Sequence, residues 1–215
     1  MRILIGAGPT HEYLDDVRYL GNPSSGRVGI AVAAAALEAG HDPLLVLGPT
    51  PLEPPPGVTV RRVVSALEMR EAMLAEVESA DAVVMSAAVS DYRPARRWPG
   101  KMKKGPESLH LELAKNPDIL AEVGRMAAHR PVVGFALEAS PANEALAAAR
   151  EKMLAKNLDL IVLNRPGSFG GAHCEAVVLV TRSEAVALGA ISKRSLGERI
   201  VRFLEERLGE GGDTR

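Results

Sequence analysis

Residues 18–29, RYLGNPSSGRVG, combine residue types that can bind an anion. Polar side chains offer hydroxyl and amide donors, while glycines let backbone N–H groups approach a ligand closely. A helix predicted to follow would direct the positive end of its dipole at the same place. The polar and glycine positions are Asn22, Ser24, Ser25, Gly26 and Gly29. The run therefore indicates a phosphate site, although a plain Asn-Pro-Ser-Ser-Gly turn accounts for the same residues equally well.

A second candidate site is the run SAAVSDY at residues 86–92, which follows a predicted buried strand. Ser86, Ala87 and Ala88 are small enough for a flat or phosphorylated ligand to lie against their backbone. Asp91 then offers a carboxylate of the kind that holds a divalent metal. The alternative is that Asp91 caps a turn.

A basic stretch at residues 93–104 carries six Lys and Arg residues and no acid. With Gly100 and Gly105 as hinges, it is typical of a flexible basic loop that closes over phosphates. Lys101 lies within it. A solvated charged loop is the competing interpretation.

Three further side chains fit a nucleotide. Phe135 stands at the end of a predicted strand, where an exposed ring could stack on a base, although it could equally belong to the core. Lys152 and Lys156 lie four residues apart on one face of a predicted helix and could reach a polyphosphate or stay in solvent. Taken together, these signals predict a nucleoside triphosphate site with a metal, and a second anion site beside Asn22.

These side chains need a scaffold, and the chain alternates strand and helix patterns. Strands are predicted at residues 2–7, 43–47, 58–64, 82–86, 109–113, 132–136, 158–163 and 176–181. Helices are predicted at residues 28–39, 65–78, 116–129, 140–156 and 195–208, with Ser65, Asn116 and Ser195 as N-caps and with Gly40 ending the first helix. The alternation favours an α/β fold with a largely parallel sheet covered on both faces, in which ligands bind beyond the carboxyl ends of the strands.

Composition limits the function classes. With 26 basic and 27 acidic residues among 215, the net charge of -1 creates no overall field for nucleic acid or anionic lipid. No apolar run reaches the roughly 18–20 residues of a membrane span, and the start MRILIGAGPT predicts a core strand rather than a signal peptide. Cys174 stands alone and cannot form an internal disulfide. We expect a cytoplasmic protein with a single domain at residues 1–209 and a disordered tail at 210–215.

Two other functions fit parts of the sequence. A nicotinamide-dependent reductase would use the run GAGPT at residues 6–10, but His11 stands where the dinucleotide fingerprint needs its third glycine, and no acid follows the second strand. A non-catalytic nucleic-acid binder would use residues 93–104. The near-neutral charge and the 3% aromatic content disfavour it.

Eight runs of sequence, in this order, resemble the phosphopantothenoylcysteine synthetase family. They are GPT at 8–10, VRY at 17–19, NPSSGRVG at 22–29, SAAVSDYRP at 86–94, KMKK at 101–104, KNPDI at 115–119, GFA at 134–136 and KNLDLI at 156–161. The resemblance implies a Rossmann-like fold and an active site completed across a homodimer. It further implies ligation of L-cysteine to 4′-phosphopantothenate in coenzyme A biosynthesis, with CTP and Mg²⁺ as bacterial members typically use.

The resemblance also implies roles for single residues. The triphosphate and its Mg²⁺ would be met by Asp91, Lys101, Lys152 and Lys156, with Asp91 on the metal. The nucleotide would be held by Ser86, Ala87, Pro117, Asp118, Ile119, Leu120 and Phe135. Phosphopantothenate would contact Asn22, Ser24, Ser25, Gly26, Ala87 and Ala88, with Arg18 reaching across from the other subunit. Asn22 would donate to the acyl-nucleotide intermediate, and Lys101 would act chiefly when cysteine displaces CMP.

The chain departs from the usual bacterial pattern at Pro23, where His is common, and at Arg27, where Lys is common. Residues 169–174 lack the acidic and amide residues that the family carries there, so we assign them no role. The flavin-dependent decarboxylase half found in many bacterial members is missing from this sequence, and we expect a stand-alone synthetase with a separate decarboxylase polypeptide. The choice between CTP and ATP stays open, because base discrimination depends on backbone positions.

Overall fold

A computed structural model describes residues 1–105, 107–165 and 171–210. Its strands are β1 (Arg2–Ala7), β2 (Glu12–Tyr13), β3 (Tyr19–Leu20), β4 (Asp42–Leu47), β5 (Thr59–Arg62), β6 (Ala82–Met85), β7 (Tyr92–Pro94), β8 (Leu113–Lys115), β9 (Val132–Leu137), β10 (Leu160–Asn164), β11 (His173–Val180) and β12 (Ala185–Ser192). Its helices are α1 (Arg27–Glu38), α2 (Ala66–Glu76), α3 (Ile119–Met126), α4 (Ala142–Ala155) and α5 (Lys193–Glu210).

Eight of the described strands form one sheet in the order β12-β11-β10-β9-β6-β1-β4-β5. The strands from β10 to β5 are parallel, and β11 and β12 join one edge as antiparallel strands. The chain builds outward from β1, first through β4 to β5 and then in the other direction through β6. This switch of direction leaves a crevice beyond the carboxyl ends of β1 and β6, where sheets of this kind bind ligands.

Helices cover both faces of the sheet. The central strands β1 and β4, RILIGA and DPLLVL, are apolar along most of their length because both of their faces are buried. On one face, α1 and α5 contribute Val32 and Leu196 to the core, and on the other face α2 and α3 contribute Met73 and Val123. The architecture confirms the predicted α/β, Rossmann-like fold.

Local signals explain where two helices begin or end. At α2 the predicted capping interaction is present: Ser65 Oγ accepts a hydrogen bond from Glu68 N at 3.2 Å, and Glu68 Oε2 accepts one from Val64 N at 2.7 Å. After α1 the chain turns at Gly40, whose φ of 78° favours glycine. Both features match the sequence prediction.

The predicted start of α3 is wrong. Asn116 is buried, and its amide donates to Ser90 O at 2.8 Å instead of capping a helix. Asp118 is the N-cap, because its Oδ1 accepts from Ala121 N at 3.0 Å. The competition between the two residues is decided by the distant Ser90 carbonyl, which local sequence does not reveal.

Two strands and the cap of the last helix also differ from the prediction. The strand expected at 109–113 lies instead at β8, where pairing with β7 fixes its position. The alanine- and glycine-containing β12 was not predicted, since its strand state depends on pairing with β11. Ser195 is not the cap of α5, which begins at Lys193; Ser192 Oγ accepts from Ser195 N at 3.0 Å.

The C-terminal part of the chain is only partly described. Helix α5 continues to Glu210, the first residue of the predicted tail, and residues 211–215 lie outside the described residues. A single domain over residues 1–209 stays a prediction. Within the described ranges, none of the helices has the length and apolar character needed to cross a lipid bilayer.

Candidate functional site

Two cavities lie side by side at the carboxyl ends of β6 and β9. The α1 cavity, at the N-terminus of α1, has a volume of about 210 Å³ and is lined by residues 24–29, 86–88 and 135–137 with Asn164, Cys174 and Lys193. The α3 cavity, at the N-terminus of α3, has a volume of about 390 Å³ and is lined by residues 85, 87–91 and 115–120 with Phe135 and Lys156. Ala87, Ala88 and Phe135 belong to both linings and therefore form a shared wall.

Glycines shape the end of α1 that faces the α1 cavity. Gly26 is the N-cap and has a left-handed φ of 72°, which glycine adopts without strain. Gly29 lets the helix approach the sheet, because a Cβ there would lie 2.2 Å from Ala7 Cβ and 2.7 Å from Ser86 Oγ. Within the described residues no side chain caps this helix end, and its first turn carries no acid. The arrangement leaves backbone N–H donors and the positive end of the dipole for an anion.

The N-terminus of α3 already carries a carboxylate. Asp118 caps the helix through Ala121 N, and its Oδ2 lies 2.7 Å from Lys156 Nζ. Burial by itself raises the pKa of the Asp118 carboxyl, but the hydrogen bonds from Lys156 and Ala121 N and the charges of Lys156 and Lys115 outweigh it and lower the pKa below its ordinary value. Asp118 is therefore ionised at neutral pH and pairs with Lys156.

Asn22 belongs to neither cavity lining but lies beside the shared wall. Its Nδ2 donates to Val89 O at 3.0 Å and lies 3.5 Å from Ala88 O, so the loop before α1 contacts the chain that follows β6. The side chain is exposed. A ligand carbonyl at the wall could take over the amide donor that now binds Val89.

Arg18 and Lys101 lie outside the two cavity linings and are exposed. Arg18 belongs to residues 14–18, here called the Arg18 segment, and Lys101 to residues 93–104, here called the basic loop. Arg18 Nη2 donates to Met102 O at 3.2 Å, so the guanidinium lies beside the residue that follows Lys101. The two predicted cations thus belong to neighbouring stretches of chain.

The structure brings most of the predicted nucleotide residues together around the α3 cavity. The members there are Ala87, Asp91, Pro117, Asp118, Ile119, Leu120, Phe135 and Lys156. Ser24, Ser25, Gly26 and Ser86 line the α1 cavity instead. Lys152 lines neither, and its Nζ lies 3.8 Å from Glu138 Oε1. These placements leave the proposed roles as predictions.

Asn164, Cys174 and Lys193, which reach the α1 cavity from the C-terminal part of the chain, were not predicted from the sequence. Asn164 directly follows a predicted strand, so the rule that ligands bind beyond strand ends could have found it. Lys193 and Cys174 are buried and gave no signal, because β11 and α5 bring them to the cavity from the end of the chain. Burial lowers the pKa of the Lys193 ammonium and raises that of the Cys174 thiol.

The sheet topology and the two adjoining cavities define a Rossmann-like ligand-binding domain. The family model for the DNA/pantothenate metabolism flavoprotein C-terminal domain matches residues 1–208. The chain belongs to this family. The match confirms the family to which the eight sequence runs pointed.

Curated relatives share the same region. The coenzyme A biosynthesis bifunctional protein CoaBC of Vibrio cholerae is 39% identical over 213 residues, which cover 96% of this chain and 53% of the relative. CoaBC of Escherichia coli K12 is 46% identical over 168 residues, which cover 76% of this chain and 41% of the relative. The chain therefore spans about half the length of the curated relatives it matches.

Solved structures share the fold. The crystal structure of the C-terminal domain of CoaBC matches with a TM-score of 0.81 at 34% identity and covers 97% of this chain and 96% of that chain. A Cab2 mutant in complex with phosphopantothenate-cysteine matches with a TM-score of 0.77 at 16% identity, covering 98% of this chain and 88% of that chain. The second likeness shows the fold alone.

Proposed function

We propose that this chain joins L-cysteine to 4′-phosphopantothenate through an acyl-nucleotide intermediate in coenzyme A biosynthesis. Its relatives are coenzyme A biosynthesis proteins, and one solved relative is the C-terminal domain of such a protein. The observation that carries the proposal is the wall of Ala87, Ala88 and Phe135 between two cavities, with the Asn22 amide donating to Val89 O next to that wall. Adjoining cavities suit a reaction in which a nucleotide and an acid must meet.

The reaction has two steps. A carboxylate oxygen of phosphopantothenate attacks the α-phosphorus of the nucleotide, and the bond to pyrophosphate breaks. The amine of cysteine then attacks the acyl carbon, the bond to the nucleotide oxygen breaks, and the nucleoside monophosphate leaves while the new ammonium loses a proton to solvent. Both steps develop negative charge on oxygen, which fixed donors and cations stabilise.

The residues of this chain would divide that work. The N–H groups at the start of α1 would bind a phosphate, and Phe135 would stack on the base. Asn22 would donate to the carbonyl oxygen of the acyl-nucleotide, since an amide donates without acting as a nucleophile. Lys156 would leave its ion pair with Asp118 and bind a nucleotide phosphate. Lys101 would act chiefly when the amine of cysteine attacks the acyl carbon.

Asp91 would hold Mg²⁺. The described residues contain no group of three or more His, Cys, Asp or Glu side chains that could bind a metal ion together. Mg²⁺ commonly binds through one or two carboxylates together with substrate phosphates, and the exposed Asp91 carboxylate in the α3 cavity fits that chemistry. When bound, the ion would neutralise charge on the phosphate oxygens. Calorimetry in Mg²⁺ should show weaker nucleotide binding for Asp91→Asn, and an unchanged affinity would remove the assignment.

The site is proposed to be completed across a homodimer. Arg18 lies outside both cavities, as expected of a group that serves a neighbouring subunit. Its two neighbours in the chain are large apolar side chains that are exposed, Val17 at 57% and Tyr19 at 47%. Exposed apolar side chains beside a charged group fit an interaction surface. Light scattering at micromolar concentration should give the mass of a dimer, and a monomeric mass would contradict the proposal.

The direct test is pyrophosphate release. The chain is mixed with 4′-phosphopantothenate and either CTP or ATP, then L-cysteine is added and the product is identified by mass spectrometry. We expect release with CTP, ligation after cysteine, and little release with ATP. Absence of release with both nucleotides would overturn the proposed function. A cytoplasmic location and a decarboxylase in a separate polypeptide stay predictions.

A further inference from the structure

The basic loop is hydrogen-bonded to the Arg18 segment through backbone and side-chain groups. Trp98 N donates to Leu14 O at 2.9 Å, and Asp16 N donates to Gly100 O at 3.3 Å. In return, Gly100 N donates to Asp16 Oδ2 at 3.0 Å and Arg97 Nη2 donates to Asp16 Oδ1 at 2.9 Å. The loop therefore rests in a defined position although most of its side chains are exposed.

One buried carboxylate joins the two stretches. Asp15 has no exposed surface. Its Oδ1 accepts from the backbone N–H groups of Val17 and Arg18, each at 2.7 Å, while its Oδ2 accepts from Met102 N at 3.0 Å. Arg18 Nη1 lies 3.3 Å from the same Oδ2. A single side chain thus binds the backbone of Arg18 and the residue after Lys101.

Asp15 is charged in this arrangement. Burial by itself raises the pKa of the Asp15 carboxyl, but the N–H groups of Val17, Arg18 and Met102 and the charge of Arg18 outweigh it, so the pKa lies below its ordinary value. Hydrogen bonds to an ionised carboxylate are about twice as strong as neutral ones. A buried carboxylate with three backbone donors is a costly group to leave unpaired, so loop and segment are expected to dock and undock together.

We infer that Asp15 is a positioning residue that holds Arg18 and Lys101 in one unit, so that its carboxylate fixes where Lys101 lies relative to the site. Asp15 contacts neither cavity lining and acts only through the two cations. The kinetic part of this inference rests on the proposed function. The docking part does not, because it can be measured without any substrate.

The sequence supplies a reporter and a pair of variants. Trp98 is the one tryptophan of the chain and lies in the docked loop. Asp15→Asn keeps one acceptor oxygen for the Arg18 segment but sets an amide N–H₂ against Met102 N–H, donor against donor. Met102→Pro removes the same hydrogen bond from the loop side and leaves Asp15 untouched. If both variants release the basic loop, the cause is loss of the hydrogen bond from Met102 N to Asp15, and not general damage to the fold.

A matched control is Glu12→Gln. Glu12 is also a buried carboxylate of this region, and its Oε1 accepts from Ala66 N at 2.9 Å, away from the basic loop. The Gln side chain keeps that acceptor while it removes the charge. Any effect of losing a buried charge alone would therefore appear in Glu12→Gln, whereas the basic loop would stay docked in this variant.

The first measurement uses the protein without ligands. We expect lower Trp98 fluorescence anisotropy and about tenfold faster trypsin cleavage in the basic loop for Asp15→Asn and Met102→Pro, the change that loss of one charge-assisted hydrogen bond gives. The double variant should add little to either single one. Glu12→Gln should resemble the wild type. Unchanged anisotropy and cleavage in both Asp15→Asn and Met102→Pro would overturn the inference.

The second measurement follows both steps in quenched single turnovers. We expect Asp15→Asn to slow consumption of the acyl-nucleotide by cysteine by up to about 10²-fold, since small misplacements of a reacting group cost that much. Pyrophosphate release should fall less. A released loop with normal rates in both steps would overturn the positioning role. A wild type that forms no acyl-nucleotide would instead overturn the proposed function, and the anisotropy result would still decide whether Asp15 holds the loop.

Discussion

The N-termini of α1 and α3 face adjoining cavities, but only that of α3 carries carboxylates. At α1 the N-cap is Gly26, and no described side chain caps the helix end. At α3 the N-cap is Asp118, whose carboxylate pairs with Lys156. A helix N-terminus attracts anions, and a carboxylate already bound there satisfies that attraction. Under the proposed function, the start of α1 would receive a phosphate directly, whereas Lys156 would first have to leave Asp118.

The largest expected effect is on formation of the acyl-nucleotide, when Asn22 in the loop before α1 is replaced by Asp. Asn22→Asp would set a negative charge against the acyl-nucleotide and remove the amide donor, and loss of one such donor costs ~10²–10³ in rate. We expect little or no acyl-nucleotide from this variant in quenched reactions followed by mass spectrometry. Lys101→Gln is the contrast: it should release pyrophosphate and retain an acyl-nucleotide that cysteine consumes slowly. Normal overall turnover by Lys101→Gln would remove its catalytic assignment.

A smaller effect, on the free energy of unfolding, is expected when a side chain added at Gly29 pushes α1 away from the sheet. In Gly29→Ala the new methyl group would collide with Ala7 Cβ and Ser86 Oγ, and overpacking of this kind costs about 1–3 kcal/mol in the free energy of unfolding. Urea unfolding measures the loss. Gly40→Ala is the control, since a Cβ there meets no atom within 4 Å and only its φ of 78° is unfavourable. An unchanged free energy of unfolding in Gly29→Ala would show that α1 accommodates the methyl group without crowding.

On the α3 side, the cap and the ion pair can be separated. Asp118→Ala removes both and should lower the free energy of unfolding by about 1 kcal/mol, the usual cost of a lost N-cap. Asp118→Asn keeps a capping oxygen for Ala121 N and should stay close to the wild type. Equal losses in the two variants would mean that the contact with Lys156, rather than the cap, stabilises this helix end.

The smallest effect is a pH dependence. Because the pKa of Asp118 is lower in the folded chain than its ordinary value of 3.8, the unfolded chain binds the proton more readily. The stabilisation is therefore present above that ordinary value and is lost as the pH falls through the folded-state pKa. Carbon-detected NMR titration should give a midpoint below 3.8, and Lys156→Met should move it upward. An unmoved midpoint in Lys156→Met would show that Lys156 does not hold the Asp118 charge.

Sequence patterns predicted the elements whose partners are local. The apolar run of β1 and the glycine after α1 need no distant contact to be recognised, and both boundaries agree with the structure to within a residue or two. The strand-end rule likewise led to Asp91 and Phe135, which line the α3 cavity. These residues could be found because parallel strands deliver their following loops to one edge.

Other features depend on partners far along the chain. Trp98 docks on Leu14, and Lys193 reaches the α1 cavity from the start of the last helix. Asn116 has the sequence of a helix cap but donates to Ser90 O, since burial demands a partner for its amide. No local periodicity encodes these pairings, and only the assembled sheet decides them.

The packing of α5 on α1 also bears on the synthesis of the chain. Val32 and Ala36 of α1 are buried against Leu196 and Ile200 of α5, so α1 is covered by a helix that leaves the ribosome much later. Strand β1 also lacks a neighbouring strand until later in synthesis, because Ile3 pairs with Ala82 of β6. Such distant pairings close slowly and leave apolar surface open to aggregation. Nascent chains that end before α5 are therefore expected to bind chaperones at α1, and release should coincide with emergence of the last helix.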